Sequence, residues 1–213
     1  MTRIIAGAAG SLTLDVPKAG TRPTSDRVRE ALFSSLEAWG MLEGVKVLDL
    51  YAGSGALGFE AVSRGAVELD LVEKHGPAAQ IVARNATKIQ ASLRGSSPRI
   101  DVHRQAAANY LSGCAEVPMW DVVFIDPPYD LGEAELVENL EAVALRLRPQ
   151  ALIMVERSSR SPEPAWPAGI VLFKKKSYGE TAVWWAESAE SAAANAADDA
   201  NTDSGSEGSE PAE

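Results

Sequence analysis

Apolar and polar positions change their spacing in a regular way along residues 41–186. Helical periodicity covers 77–89 and 133–147, and a third helical stretch ends at residue 64. Strands that alternate with helices predict a mainly parallel sheet that is covered on both faces. The predicted strands are short runs rich in Val, Leu and Ile, at 45–51, 67–73, 99–104, 120–125 and 151–156.

Two more strand candidates, 170–175 and 181–186, flank the turn sequence Ser177-Tyr178-Gly179-Glu180. This hairpin pattern brings the number of strands to seven, and it predicts an antiparallel strand at the edge of the sheet. The expected fold class is therefore α/β, with residues 41–186 as its main domain.

The first 40 residues follow a different pattern. Short strand-like pieces over 4–16 are interrupted by glycines, and a helical run over 27–39 repeats Val28, Leu32 and Leu36 every four residues. We interpret residues 1–40 as an N-terminal extension with a β-hairpin and a helix, and not as a second core.

The last segment, 187–213, contains eight acidic residues, no Lys or Arg, and no large apolar side chain. Such a segment buries too little surface to offset the entropy of ordering, so it is predicted to be a disordered acidic tail. Of the formal net charge of −10, −8 belongs to this tail. The remaining −2 includes basic stretches at 1–29 and 174–176, so the acidic total does not exclude a nucleic-acid partner.

Composition excludes several other classes of protein. One cysteine and two histidines among 213 residues rule out a disulfide scaffold and leave little for a metal site, so no metal is expected. No apolar run approaches the roughly 20 residues of a membrane helix, and the N-terminus lacks a signal-peptide pattern. A reducing, cytoplasmic location and no membrane partner are expected.

A glycine-rich turn follows the first predicted strand. The spacing Gly53-x-Gly55-x-x-Gly58 allows a ligand to approach the backbone closely at a helix N-terminus, and it also fits a dinucleotide site. Asp49 at the strand end could pair with an ammonium group, whereas it would repel a pyrophosphate. Glu73, at the end of the next strand, could accept hydrogen bonds from both hydroxyls of a ribose. Together the two acids favour S-adenosylmethionine over NAD.

The tetrapeptide Asp126-Pro127-Pro128-Tyr129 directly follows the predicted strand at 120–125. The amino group of a nucleobase is a poor nucleophile because its lone pair is delocalised into the ring. A carboxylate and a backbone carbonyl that both accept from this amino group favour the geometry that attacks. The prolines stiffen the turn, and Tyr129 offers a face on which a base can stack.

These motifs resemble the class I S-adenosylmethionine-dependent methyltransferases and, more closely, the RsmD family, which methylates N2 of a guanine in 16S ribosomal RNA. The arginine-rich block is the specific part of the resemblance, because generic methyltransferases lack it. The resemblance covers residues 1–186 and rests on Arg3-Ile4-Ile5-Ala6-Gly7, the block from Arg22 to Phe33, the glycine turn through Arg64-Gly65-Ala66, Asp126–Tyr129, and Lys176-Ser177-Tyr178-Gly179.

The resemblance implies a Rossmann-like class I methyltransferase fold, S-adenosylmethionine as cofactor and RNA as substrate, in small-subunit ribosomal particles. A monomeric enzyme is expected, although no sequence feature determines the oligomeric state. It implies a catalytic group of Asp126, Pro127 and Tyr129. The cofactor group is Asp49, Ala52, Gly53, Ser54, Gly55, Glu73, Lys74, Gln105, Ala106 and Asp126. The RNA group is Arg22, Arg27, Arg29 and Tyr129. The basic cluster at 174–176 adds Lys175 as a candidate contact to the RNA backbone, with a solvated hairpin as the alternative interpretation.

Two departures from the family pattern stand out. Residues 10–14 lack the basic residues that the family commonly carries after its first glycines, which could weaken RNA binding or shift the substrate. Gln105 stands where the family usually has an acid that faces adenine, although an amide can also hydrogen-bond the adenine amino group.

Three rival interpretations stay open. A DNA amino-methyltransferase shares the Asp-Pro-Pro-Tyr sequence, but the chain has no insert for a target-recognition domain. An NAD-dependent oxidoreductase has no use for that tetrapeptide. A non-catalytic RNA-binding module has no need of Asp49, Glu73 and Asp126 together.

Overall fold

The computed structural model describes residues 2–17, 25–95 and 97–193. None of the helices in these ranges is both long and apolar enough to cross a membrane. The helices are α1 (Asp26–Ala38), α2 (Ala56–Ser63), α3 (Gly76–Ser92), α4 (Ala107–Gly113) and α5 (Glu133–Ala144). The strands are β1 (Thr2–Arg3), β2 (Thr13–Leu14), β3 (Lys46–Asp49), β4 (Glu68–Val72), β5 (Arg99–His103), β6 (Trp120–Ile125), β7 (Leu147–Ser158), β8 (Ile170–Tyr178) and β9 (Thr181–Ser188).

Seven strands form one sheet in the order β5-β4-β3-β6-β7-β9-β8. The five strands from β5 to β7 are parallel, and β9 runs antiparallel to both β7 and β8. The predicted α/β fold with a mainly parallel, seven-stranded sheet is confirmed.

The sequence predicted that the antiparallel strand would lie at the edge of the sheet. The antiparallel strand is β9, which lies one place in from that edge. The reason is burial: Val183, Trp184 and Trp185 are successive residues of β9 and all are at most 2% exposed, so both faces of this strand are covered. Most of β8 is exposed, including Lys174–Lys176, and this strand takes the edge.

The core has one layer on each face of the sheet. Alternate residues of a strand point to opposite faces, so Phe124 packs with α1, α2 and α3, while Val123 packs with α4 and α5. Both residues are fully buried. The helices therefore hold the central strands from both sides and fix the positions at which these strands end.

The N-terminal segment is tied to α2 and shares the core of the sheet. Glu60, fully buried, accepts hydrogen bonds from the backbone N–H groups of Ile5 (2.7 Å) and Ala6 (3.0 Å). Gly7 has a positive φ of 81°, and a Cβ there would lie 1.9 Å from the carbonyl oxygen of Ser63, so only glycine fits. Ile4 is also buried in the core layer that contains α1.

Two parts of the chain differ from the sequence analysis. Helix α4 was not predicted, since its seven residues are too few to show a clear helical period. The predicted tail at 187–213 starts too early, because β9 continues to Ser188 and residues 189–193 are helical. Ser188 and Ser191 are buried and share a hydrogen bond of 3.0 Å. Residues 194–213 lie outside the described part.

Candidate active site

A cavity of about 560 Å³ opens at the carboxyl ends of the central strands. It lies where the chain order of the strands reverses: β3 leads outward to β4 and β5 on one side, and the chain then returns to β6 on the other. Open α/β sheets bind their ligands at such a switch point. Residues that follow β3, β4, β6 and β7 all line the cavity.

Asp49, the last residue of β3, is 1% exposed and lines the cavity. Its Oδ2 accepts from the backbone N–H of Gly58 at 3.1 Å, whereas Oδ1 has no hydrogen-bond partner among the described residues. Burial raises the pKa of this carboxyl group to about 7, and the nearby Glu73 adds to the rise. A buried carboxylate oxygen without a partner is a ready acceptor for a cationic or donor group of a ligand.

The turn after β3 depends on its glycines. Gly53 and Gly55 have φ values of 57° and 79°, which are strained for residues with a Cβ. A Cβ on Gly55 would also lie 2.3 Å from the ring of Phe59. The turn therefore brings the backbone of 52–55 to the cavity wall and starts α2 there.

Glu73 braces this turn from β4. Its Oε2 accepts from the N–H of Gly53 at 2.9 Å, and its Oε1 accepts from the N–H of His75 at 2.7 Å. The carboxylate is half-buried and lines the cavity, with the exposed Lys74 beside it. These two hydrogen bonds fix the carboxylate next to the glycine turn.

The Asp-Pro-Pro-Tyr segment follows β6 on the other side of β3. Asp126 is half-buried, Pro127 is buried, and the side chain of Tyr129 is 67% exposed. The N–H of Leu131 donates to the carbonyl of Pro128 at 3.0 Å and closes the loop. Because Asp49 pairs with Phe124, Asp126 comes two residues beyond the level of Asp49 in the sheet. The same cavity thus joins both groups of predicted residues.

Most of the predicted residues line this one cavity. From the cofactor group these are Asp49, Ala52, Gly53, Ser54, Glu73, Lys74, Gln105 and Asp126, and from the catalytic group Pro127 and Tyr129. Gly55 and Ala106 do not line it, but they are the N-cap residues of α2 and α4 at its margin. Arg22 lies outside the described residues.

The predicted RNA contacts are less uniform. Arg27 is exposed on α1, and Lys175 is exposed on β8 with its Nζ 4.0 Å from the ring centroid of Trp184. Both side chains are accessible to a polyanion, although neither lines the cavity.

Arg29 does line the cavity, and its contact with RNA stays a prediction. Its side chain is 1% exposed, and its guanidinium donates to Thr2 Oγ1 (2.9 Å), to Asp26 Oδ1 (2.9 Å) and to the carbonyl of Arg3. These bonds bind α1 to β1, so Arg29 is engaged inside the fold. Its position on the buried face of α1, beside Val28, is the cause.

The cavity residues at the carboxyl end of β7 were not predicted from the sequence. Glu156, Arg157, Ser158 and Ser161 line the cavity beside the Asp-Pro-Pro-Tyr loop. Tyr51 also lines it, and its hydroxyl accepts from Asn139 Nδ2 at 2.8 Å. The signal for the β7 residues is topological: β7 pairs with β6, so its carboxyl end must lie next to Asp126.

The sheet order and the cavity at its switch point define a class I methyltransferase fold. A candidate methyltransferase from Escherichia coli, solved as a structure, has a TM-score of 0.75 at 30% identity, over 88% of this chain and 98% of that chain. Magnesium protoporphyrin IX methyltransferase from Synechocystis, with bound S-adenosylmethionine, shares the fold at a TM-score of 0.57 and 14% identity, over 76% of this chain and 79% of that chain.

Sequence comparison gives the narrower grouping. The family described as "Conserved hypothetical protein 95" matches residues 2–187. Ribosomal RNA small subunit methyltransferase D of Haemophilus influenzae is 37% identical over 178 residues, which are 83% of this chain and 89% of that protein. Its counterpart in Escherichia coli K12 is 36% identical over 182 residues, 84% of this chain and 86% of that protein. The chain belongs to this methyltransferase family, which confirms the resemblance seen in the sequence, and it is an enzyme.

Proposed function

We propose that this enzyme transfers a methyl group from S-adenosylmethionine to N2 of a guanine in 16S ribosomal RNA, which leaves S-adenosylhomocysteine and releases one proton of the amino group. The observation that carries the proposal is the single cavity that joins Asp49, Gly53 and Glu73 to the Asp-Pro-Pro-Tyr loop. The names of the relatives support a ribosomal RNA of the small subunit as substrate. An assembling small-subunit particle is the proposed form of that substrate.

The cavity residues near the glycine turn and Glu73 fit the cofactor. A volume of about 560 Å³ is within the usual range for small-molecule sites. The unpartnered Asp49 Oδ1 would accept from the amino group of the methionine part, and Glu73 would accept from the ribose hydroxyls. Ala52, Gly53 and Ser54 would lie along the ligand, and Lys74, Gln105 and Ala106 would border its adenine end. When bound, S-adenosylmethionine supplies a methyl group that is already activated by a sulfonium centre.

The Asp-Pro-Pro-Tyr loop forms the other side of the cavity and would orient the guanine amino group for attack. Asp126 and the carbonyl of Pro127 would accept hydrogen bonds from the guanine amino group, which turns its lone pair out of the plane of the ring and toward the methyl group. The face of Tyr129 would stack on the base and hold it in position. Because the electrophile is already activated, the contribution of the protein is mainly positioning. A base from a helix or tight loop must be unstacked to enter this site.

Exposed cations outside the cavity offer contacts to the RNA backbone. Arg27 on α1 and Lys175 on β8 are exposed cations, and Lys174 and Lys176 flank the second of them. We assign Arg27 and Lys175 to phosphate contacts, which give affinity without reading the sequence. Arg22 belongs to the same proposed group.

The experiment measures methyl transfer from labelled S-adenosylmethionine to small-subunit particles, to naked 16S RNA and to duplex DNA. We expect N2-methylguanine in the RNA. We expect Asp126→Asn to lower the rate of methyl transfer by at least about 100-fold, because an amide oxygen is a weaker acceptor than a carboxylate for the hydrogen bond from the guanine amino group. Glu141→Gln, the same chemical change at an exposed position of α5, is the matched control and should retain full activity. Label found only in DNA, or undiminished transfer by Asp126→Asn, contradicts the proposal.

A further inference from the structure

Arg157, the penultimate residue of β7, is a charged side chain held inside the cavity wall. It is 7% exposed. Its Nη2 donates to the carbonyl of Leu131 at 3.1 Å and to Glu133 Oε1, whereas its Nη1 is buried without a hydrogen-bond partner among the described residues. A buried N–H group without an acceptor is costly unless a ligand supplies the acceptor.

The position of Arg157 relates it to the reacting amine. Strands β6 and β7 are parallel neighbours in which Ile125 pairs with Val155, and Asp126 follows Ile125 directly. Leu131, whose carbonyl Arg157 binds, belongs to the loop that contains Pro127 and Tyr129. The hydrogen bond to Leu131 therefore fixes the guanidinium to the amine-binding loop.

Guanine offers a matching acceptor. Its amino group N2 and its carbonyl oxygen O6 lie on the same Watson–Crick edge of the ring. Since it rests on the proposed function, the inference concerns a guanine whose N2 is at Asp126. We propose that Arg157 donates from Nη1 to O6 of that guanine and thereby selects guanine. Adenine has no amino group at C2 and carries an amino donor in place of O6, so a base in this orientation would present a donor to the guanidinium and no amine to Asp126.

The contacts of Arg157 favour a base carbonyl over a phosphate as the ligand group. Glu133 already balances the charge of the guanidinium, which reduces its attraction for a doubly or singly charged phosphate. Its side chain is only 7% exposed, whereas the contacts that proteins make to the nucleic-acid backbone come from cations at the surface. The exposed Arg27 and Lys175 have the opposite properties.

The test uses 16S RNA that carries either guanine or 2-aminopurine at the position that the wild-type enzyme methylates, assembled into particles. 2-Aminopurine retains the amino group at C2 and lacks O6. We expect Arg157→Met to lower kcat/KM for guanine by about 30-fold and to change kcat/KM for 2-aminopurine by less than about threefold. Arg160→Met, an exposed arginine of the same strand end that does not line the cavity, is the matched control and should leave both values unchanged.

The comparison between the two bases separates specificity from support of the loop. If Arg157 only braced Leu131 and Glu133, Arg157→Met would lower both rates by the same factor, and the inference would be wrong. If the Met variant fails to fold, Arg157→Leu, which likewise has no donor, replaces it, and an unchanged preference for guanine in that variant overturns the inference. A wild-type enzyme that leaves guanine N2 unmethylated overturns the proposed function as well, whereas equal losses with normal wild-type activity overturn the inference alone.

Discussion

At the scale of single residues, the site combines groups whose surroundings give them different properties. Asp49 is buried and its pKa is raised to about 7, while Asp126 is half-buried at the cavity. A strand-end acid before a glycine turn could be recognised from the sequence. Its burial could not, because it depends on the contact with Gly58 across the turn and on the strands on both sides.

The pKa of Asp49 predicts a pH dependence of cofactor binding. Below about pH 7 the carboxyl group is largely protonated in the free enzyme, and it must lose the proton to pair with the amino group of S-adenosylmethionine. We expect the Kd to increase by up to about tenfold for each pH unit between pH 7 and pH 5.5, and to change little just above pH 7. Titration calorimetry in buffers with different heats of ionisation measures both the Kd and the released proton.

Asp49→Asn should remove this dependence while it weakens binding at pH 7.5. Asp101→Asn, on β5 and away from the cavity, is the control and should follow the wild-type curve. A wild-type Kd that is constant from pH 5.5 to pH 7 would show that Asp49 does not titrate there.

At the scale of elements, α1 has one face for the fold and another for solvent. Arg27 and Arg29 are two residues apart, so they point in different directions from the helix. The sequence indicates a basic helix start, but it does not tell which arginine is buried. That depends on how Val28, Leu32 and Leu36 seat the helix on the sheet.

Substitution of the two arginines should have separate effects. Arg29→Met should lower the free energy of unfolding by about 2 kcal/mol, because Thr2, Asp26 and the carbonyl of Arg3 lose their donor. Arg27→Met should leave stability unchanged and weaken RNA binding, with a lower salt dependence. Urea unfolding and RNA binding at several salt concentrations measure the two effects. Equal stability of the two variants would argue against the structural role of Arg29.

At the scale of the whole molecule, most of the architecture was open to prediction from the spacing of apolar residues. The parallel strands and their crossing helices follow from that spacing, and so does the hairpin of β8 and β9. The place of β9 inside the sheet does not, because a hairpin pattern shows which strands pair and not which of them meets β7. The β7 residues of the cavity were missed for the same reason, since their role requires the order of strands.

The charge of the molecule is concentrated at its C-terminal end. Residues 194–213 carry six acidic residues and no basic one. A chain that ends at residue 193 should bind RNA a few-fold faster at low salt, because it repels the polyanion less, and this difference should disappear near 0.5 M salt. Its free energy of unfolding should stay within about 0.5 kcal/mol of the full chain. Stopped-flow association measures the first effect, and a rate that is independent of the truncation at low salt would contradict it.

The insertion of β9 between β7 and β8 determines how the sheet can open. To leave the sheet, β9 must break the ladders on both of its sides, whereas β8 must break only one. Of these two strands, the one that detaches more easily is therefore not the last strand of the chain but the one before it. It is held at one end by β9 and at the other by the segment that follows β7. When β8 detaches from the sheet, it becomes a loop that stays tethered at both ends. It therefore returns to the same register each time it pairs with β9 again.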